Sequence, residues 1–91
     1  MKVLYKSAYL KAFDRLDRSD QALVAKADEL LREYLATSKA PFGLRIKQLR
    51  SGLFEARVSD RLRIVWVKGA DDVSFALLGN HEEVRRFIKR F

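Results

Sequence analysis

The sequence predicts an α+β domain in which a strand and a helical hairpin pack on an antiparallel β-sheet meander, with a C-terminal helix following. Apolar residues recur at helical spacing in the first half, whereas the second half changes to the alternating period of strands. Residues 38–43 hold the single proline and one glycine, which indicates a loop at this change of period. With 48% hydrophobic and 34% charged residues, the composition is typical of globular proteins, and we expect one domain over residues 1–91.

The first half predicts a strand and two helices. Lys2 to Tyr5 is β-prone and is followed by Ser7, which we interpret as the cap of the first helix. A second helix is expected from Ser19 to about Thr37, after the cap-forming residues 17–20. Its apolar stripe is predicted to consist of Leu23, Ala27, Leu30, Leu31, Tyr34 and Leu35.

Three β-rich runs in the second half predict the meander. They are Leu53 to Val58, Arg61 to Val67 and Val73 to Gly79, and turn-forming residues separate them. Asn80 then begins the last helix, with Glu83 three residues later as in a capping box. Acidic residues at the start of this helix and basic residues at its end suit the helix dipole.

The formal net charge of +7 is concentrated in the second half of the chain. Residues 1–40 carry 8 basic and 6 acidic side chains, whereas residues 41–91 carry 11 and 6. This density of cations favours a polyanionic ligand, because each neutralised phosphate releases condensed counterions. The alternative interpretation is that the basic side chains only solvate the surface of a small protein.

Several classes of site are excluded by composition. The chain has no cysteine, which excludes disulfides, thiolate zinc sites and cysteine nucleophiles, and which suits a reducing cytoplasm. A single histidine excludes a histidine cluster, and no glycine-rich loop offers a phosphate cradle. No apolar stretch approaches the ~20 residues that span a bilayer. We therefore expect a cytoplasmic protein with no membrane contact and with neither metal nor cofactor.

The alternation within the first two meander strands predicts their register. Their apolar faces are formed by Phe54, Ala56 and Val58 and by Leu62, Ile64 and Trp66. Aligning these faces leaves residues 59–61 as a three-residue loop, because a two-residue loop would slip every apolar side chain out of register. Arg57 then lies directly opposite Arg63, where like charges are destabilising. A bound anion would relieve this repulsion, and the neighbouring carboxylate of Glu55 is the alternative partner.

The order of the elements resembles that of the RelE/ParE toxin superfamily, and so do two strings of residues. The strings are GLRIKQLRSGLFEARVSDRLRIVWV and FALLGNHEEV, and the resemblance covers the whole chain. It implies a RelE-like fold and a cognate antitoxin protein that binds the chain in a hetero-oligomer. The superfamily includes ribosome-dependent messenger-RNA endonucleases and inhibitors of DNA gyrase, so the fold does not settle the activity. An inactive toxin-like chain that only binds its antitoxin is a third alternative.

For the nuclease branch, the resemblance implies attack of a ribose 2'-hydroxyl on the adjacent phosphate of messenger RNA held in the ribosome, near 16S ribosomal RNA. Arg57 and Arg63 match basic positions that would stabilise the charge of the reacting phosphate, and His81 matches a position suited to proton transfer. Glu55 is the alternative base. The positions that would bind RNA are Arg45, Lys47, Arg61 and Arg85.

Overall fold

A computed structural model of the protein describes residues 1–39 and 43–91. These residues form β1 (Lys2–Tyr5), α1 (Ser7–Arg15), α2 (Arg18–Thr37), β2 (Lys47–Arg50), β3 (Leu53–Arg57), β4 (Arg63–Lys68), β5 (Asp72–Gly79) and α3 (His81–Arg90). The loop predicted over residues 38–43 includes residues 40–42, which lie outside the described part of the chain. Across the described ranges, no helix has the length and apolar character that crossing a membrane requires.

The strands form one five-stranded sheet in the order β1-β5-β4-β3-β2. Strands β2 to β5 are antiparallel neighbours, and β1 pairs with β5 in parallel at one edge. The α+β prediction is confirmed, but the meander has four strands instead of three and the sheet is mixed. The additional strand is β2, which reaches β3 through a tight turn at Gly52. The φ angle of Gly52 is +76°, a left-handed conformation that favours glycine.

The predicted register between β3 and β4 is confirmed. Phe54 lies opposite Trp66, and Arg57 lies opposite Arg63. The Val58 amide donates to the Leu62 carbonyl at 2.9 Å, so residues 59–61 close the predicted three-residue loop. Arg61 therefore belongs to this turn, as the predicted register required, although the β-rich run in the sequence begins with it; the pairing of β4 with β3 begins at Arg63.

The larger core lies between the sheet and the helices α1 and α2. Its buried side chains are Tyr9, Val24, Ala27, Leu31, Leu44, Ala56, Leu62, Ile64, Trp66, Val73, Phe75 and Leu78. The buried stripe of α2 is narrower than predicted, since Leu23 is 47% exposed and Val24 is buried instead. Val24, Ala27 and Leu31 follow one line along the helix, whereas Leu23 is rotated about 100° away from Val24.

A second core lies on the opposite face of the sheet, under α3. Leu53, Val65 and Val84 are buried there, and five further apolar side chains pack against them: Leu49, Val67, Leu77, Phe87 and Ile88. Strand β4 is consequently covered on both faces, and each of its first four residues is buried. This double burial leaves β4 little freedom to shift against its neighbours.

A β-bulge in β5 lets that strand serve both cores. Val65 lies opposite Leu77 and Trp66 lies opposite Phe75, so Ala76 is an extra residue in the ladder. Phe75 accordingly packs with the α1 and α2 core, whereas Leu77 packs under α3. Because of this extra residue, Phe75 and Leu77 point to opposite faces of the sheet although they are two residues apart.

The helix starts agree with the sequence in two cases of three. Asn80 caps α3 in a complete capping box, as predicted. Asp17, one of the predicted cap-forming residues, caps α2, which begins at Arg18, one residue before the predicted start at Ser19. Ser7 does not cap α1, because it is already the first helical residue and the extended Lys6 precedes it. The Lys6 amide donates to the Phe75 carbonyl at 2.9 Å, so sheet pairing continues up to the residue where the helix begins.

We expect Asn80→Ala to lower the free energy of unfolding by about 1 kcal/mol, since it removes the acceptor for an orphan amide of the first turn. The Asn80 side chain accepts from the Glu83 amide at 2.9 Å. Urea unfolding followed by the fluorescence of Trp66 would measure the loss. Asn80→Asp keeps an acceptor at this position and serves as the control. Equal destabilisation by both variants would contradict the capping role.

A tyrosine links β1 to α2. The Tyr5 hydroxyl donates to Asp28 Oδ1 at 2.8 Å, and Arg32 Nε lies 3.4 Å from Asp28 Oδ2. Partial burial and, secondly, the hydrogen bond to Asp28 raise the pKa of Tyr5 from 10.0 to about 12. The folded protein therefore holds the phenol proton more tightly than the unfolded chain does.

Because the pKa of Tyr5 is higher in the folded state, its contribution to stability is present below pH 10 and is lost as the pH rises through about 12. We expect Tyr5→Phe to reduce the fall in unfolding free energy over this interval. Urea unfolding at a series of pH values, with the wild type beside the variant, measures the difference. Parallel pH profiles would disprove this linkage.

Candidate functional site

A pocket of about 270 Å³ opens on the face of the sheet that carries α3. It is lined by Arg45, Lys47, Leu49, Glu55, Arg57, Arg63, His81, Val84, Arg85 and Ile88. The structure thus brings together the three residues predicted as catalytic, the alternative base and three of the four residues predicted to bind RNA. The apolar residues Leu49, Val84 and Ile88 were not predicted for the site.

Strand alternation places the charged side chains of the pocket beside one another. Leu53, Glu55 and Arg57 lie on the same face of β3. Leu53 belongs to the second core, and the two charged residues lie beyond it towards the end of the strand. Arg63 lies directly across from Arg57 on β4, and Lys47 lies directly across from Glu55 on β2. Three neighbouring strands therefore contribute a compact group of four charges.

Gly79 allows α3 to begin close to this group. It pairs with Arg63 on the side away from Arg57. A Cβ atom at Gly79 would lie 2.9 Å from Glu83 Oε1 and 3.0 Å from Glu83 Cβ, so a side chain would displace the Glu83 side chain, which completes the capping box. The absence of a side chain at Gly79 leaves room for this capping box, and α3 then begins at His81, which lines the pocket.

Arg45 enters the pocket from the segment that precedes β2. Its backbone has a φ angle of +47°, which non-glycine residues adopt at an energetic cost. Two contacts of the preceding residue hold the chain here: Leu44 is buried in the larger core, and its carbonyl accepts from the Arg57 amide at 2.8 Å. The backbone of the pocket-lining Arg45 is therefore tied directly to the strand that carries Arg57.

The buried guanidinium of Arg63 is only partly neutralised. Its Nε lies 3.5 Å from Glu55 Oε1, and its Nη1 is buried without a hydrogen-bond partner among the described residues. Five cationic side chains and a single carboxylate line the pocket within that part of the chain. Both interpretations of the Arg57 and Arg63 pair therefore have support, since Glu55 offsets one charge and the pocket stays strongly electropositive.

Arg61 does not line this pocket. Its Nη2 is 3.5 Å from Asp20 Oδ2 on α2, and its side chain is 80% exposed. This pairing directs it towards α2. A surface ion pair of this kind is weak, so it places Arg61 without contributing much to stability.

His81 lies at the boundary between two pockets of opposite charge. The neighbouring pocket, of about 450 Å³, is lined by Asp20, Asp60, Glu82 and Glu83 in addition to Arg61, Leu16, Leu62, Asn80 and His81. The side chain of His81 is exposed, so water or a ligand reaches it from either side. The electropositive pocket therefore ends at His81, where a run of carboxylates begins.

The arrangement suits an oxygen-rich anion. Guanidinium groups donate planar, charge-assisted hydrogen bonds that match phosphate oxygens, and the imidazole of His81 lies beside them. The apolar floor of Leu49, Val84 and Ile88 lowers the local polarity and strengthens these electrostatic interactions. Within residues 1–39 and 43–91, no group of three or more His, Asp or Glu side chains is arranged to hold a metal ion.

Comparisons with known proteins identify the fold. No family model and no curated protein matches the sequence. Solved structures do match: a chain of the E. coli DinJ-YafQ toxin-antitoxin complex superposes with a TM-score of 0.74 and 16% identity, over 91% of this chain and 94% of that chain. The YoeB/ParE toxin from Agrobacterium tumefaciens gives a TM-score of 0.68 and 21% identity, over 89% of this chain and 99% of that one.

A third match comes from an archaeal structure. A chain of the RelB-RelE antitoxin-toxin complex from Methanococcus jannaschii has a TM-score of 0.67 and 13% identity, over 92% of this chain and 96% of that chain. The matches span nearly the whole length on both sides, although identity is low. The fold inferred from the sequence is thus confirmed, and the chain has the RelE-like fold of these toxins.

We expect Arg57→Gln to raise the free energy of unfolding by about 0.2–1 kcal/mol, since it removes a cation directly opposite Arg63. Inorganic phosphate should stabilise the wild type more than sodium chloride of equal ionic strength does, and it should stabilise the variant less. Thermal unfolding in both salts measures the two effects. Arg50→Gln, on the exposed part of β2 outside the pocket, is the matched control. Equal responses of Arg57→Gln and Arg50→Gln to phosphate would count against an anion site.

Proposed function

We infer that the chain is the toxin of a type II toxin-antitoxin system and that its pocket cleaves messenger RNA on the ribosome. The observation that carries this proposal is the convergence of Arg57, Arg63 and His81 on one electropositive pocket. Cleavage of RNA by its own 2'-hydroxyl requires charge stabilisation at phosphorus and proton transfer at two oxygens. Two guanidinium groups and one imidazole have these capacities.

In the proposed reaction, the 2'-oxygen forms a bond to the adjacent phosphorus atom and the bond from phosphorus to the 5'-oxygen breaks. The products are a 2',3'-cyclic phosphate and a free 5'-hydroxyl, so the electrons and atoms balance without a further reactant. Arg63 and Arg57 stabilise the negative charge of the pentavalent phosphorane, where fixed donors have their largest effect. His81 transfers a proton to or from the reacting oxygens.

The remaining cations of the pocket bind the RNA backbone. Lys47 and Arg45 line it on the side of β2, and Arg85 lines it from α3, one turn after His81. Phosphates on both sides of the reacting bond therefore meet positive charge. Such contacts supply affinity that falls steeply as the salt concentration rises.

We propose a cognate antitoxin as the partner that restrains this activity in the cytoplasm. The matched structures include chains from the DinJ-YafQ and RelB-RelE complexes, each of which pairs a toxin with an antitoxin. An acidic segment of the partner would complement the five cations of the pocket and would compete with RNA for them.

The proposal is tested by inducing the chain in cells that lack its antitoxin and mapping messenger-RNA 5' ends during translation. We expect new ends within translated codons. Arg63→Ala should reduce their yield by about 100- to 1,000-fold, the usual effect of losing one oxyanion donor. His81→Gln should reduce it by about 100-fold or more, because general acid-base catalysis typically contributes at least that.

Arg50→Ala serves as the control for loss of positive charge, since Arg50 lies outside the pocket. Growth arrest with damaged DNA and intact messenger RNA would replace the nuclease proposal with inhibition of gyrase. Normal growth of cells that contain the folded protein would instead indicate a chain that only binds its antitoxin.

A further inference from the structure

Glu55 occupies an unusual place for a carboxylate. Within the described part of the chain it is the one acidic residue that lines the pocket, and Lys47 lies directly across from it on β2. Its side chain is 12% exposed, and that of its ion-pair partner Arg63 is 9% exposed. The pair is therefore shielded from water at the point where the cations converge.

In this ion pair the two ends of the Arg63 guanidinium have different surroundings. Glu55 Oε1 faces Nε at 3.5 Å, whereas Nη1 is buried and has no partner among the described residues. A guanidinium offers five N–H donors in one rigid plane, so an anion at the Nε end leaves donors at the opposite end. Holding one end of a planar group also determines the direction of the other.

The charges around Glu55 disfavour its use as a base. Arg57 and Arg63 face each other directly, and Glu55 is the nearest compensation for them within the sheet. If Glu55 accepted a proton from RNA, this compensation would vanish and would leave a buried cation without its partner, which is a costly arrangement. A carboxylate that stays ionised and keeps its ion pair incurs no such cost.

We propose that Glu55 is a positioning residue, whose carboxylate holds the Nε end of Arg63 so that the remaining N–H groups are directed at a phosphate oxygen. The inference rests on the proposed function for its link to RNA cleavage, but the orientation of Arg63 towards a phosphate does not depend on that link. His81 is then left as the group that moves protons.

The orientation is measured by heteronuclear NMR of the Arg63 Nε–Hε resonance, assigned through its loss in Arg63→Lys. In the wild type we expect a dispersed signal that exchanges slowly with water and shifts when inorganic phosphate is added. Glu55→Gln, which keeps an acceptor of the same shape, should retain this signal. Glu55→Ala should move it to the position of solvent-exposed arginines. Glu29→Gln, a carboxylate-to-amide change at an exposed site on α2, is the control.

Cleavage of ribosome-bound messenger RNA by the same variants separates positioning from base catalysis. If Glu55 positions Arg63, kcat follows the Arg63 signal: Glu55→Gln stays within about tenfold of the wild type and Glu55→Ala falls by about 100-fold or more. Loss of cleavage in Glu55→Gln with an unchanged Arg63 signal would make Glu55 the base and overturn the inference. An Arg63 signal that is the same in all three proteins would overturn it as well.

Two further outcomes are decisive. If Glu55→Ala does not fold, as judged by Trp66 fluorescence, the comparison of Glu55→Gln with the wild type still tells positioning from base catalysis. If the wild type cleaves no RNA but its Arg63 signal depends on Glu55 and responds to phosphate, the proposed function fails and the positioning of Arg63 stands.

Discussion

The double burial of β4 is the constraint on which the rest of the structure depends. Ile64 and Trp66 are buried against the helical hairpin, and Val65 is buried under α3, so the strand has no solvent-facing side along its first half. A shift by one residue would exchange the two sets and disrupt both cores. The same register that satisfies the cores places Arg63 across from Arg57. The electrostatic strain of the pocket is therefore imposed by apolar packing elsewhere along the same strand.

Much of this arrangement was predictable, because the two strands that carry it alternate clearly. Three apolar residues on each strand determined the register and the loop length, and from these the proximity of Arg57 and Arg63 followed. Strand β2 was missed because Lys-Gln-Leu-Arg offers only one half-buried apolar residue, Leu49, and little alternation to detect. The parallel pairing of β1 with β5 brings residues 2–5 beside residues 72–75, and no local sequence pattern indicates a contact between segments so far apart in the chain.

The candidate site residues likewise divide into those whose positions the strand pattern predicted and those whose positions it did not. Arg57 and Arg63 lie on the two predicted strands, and their side-chain direction follows from the period of two, whereas Lys47 lies on the missed strand β2. Arg61 lies in a turn, where no period applies, and a contact with Asp20 from another element decides its direction. Glu55 was recognisable as a neighbour of the arginines, but its burial depends on β2 covering one side of β3. Residues whose environment is created by distant segments are the ones that sequence patterns place least well.

Because of the bulge at Ala76, the odd-numbered residues of β5 contribute to different cores before and after it. Before it, Val73 and Phe75 belong to the core of the helical hairpin; after it, Leu77 faces α3 and Gly79 accommodates the first turn of that helix. Without Ala76, Phe75 would be followed directly by Leu77, and both would keep their present partners, Trp66 and Val65, and their present faces. A chain one residue shorter at this position is consequently expected to form the same ladder without a bulge, with the same residues in each core. The bulge is thus a point at which the length of β5 can differ by one residue while its pairing with β4 stays the same.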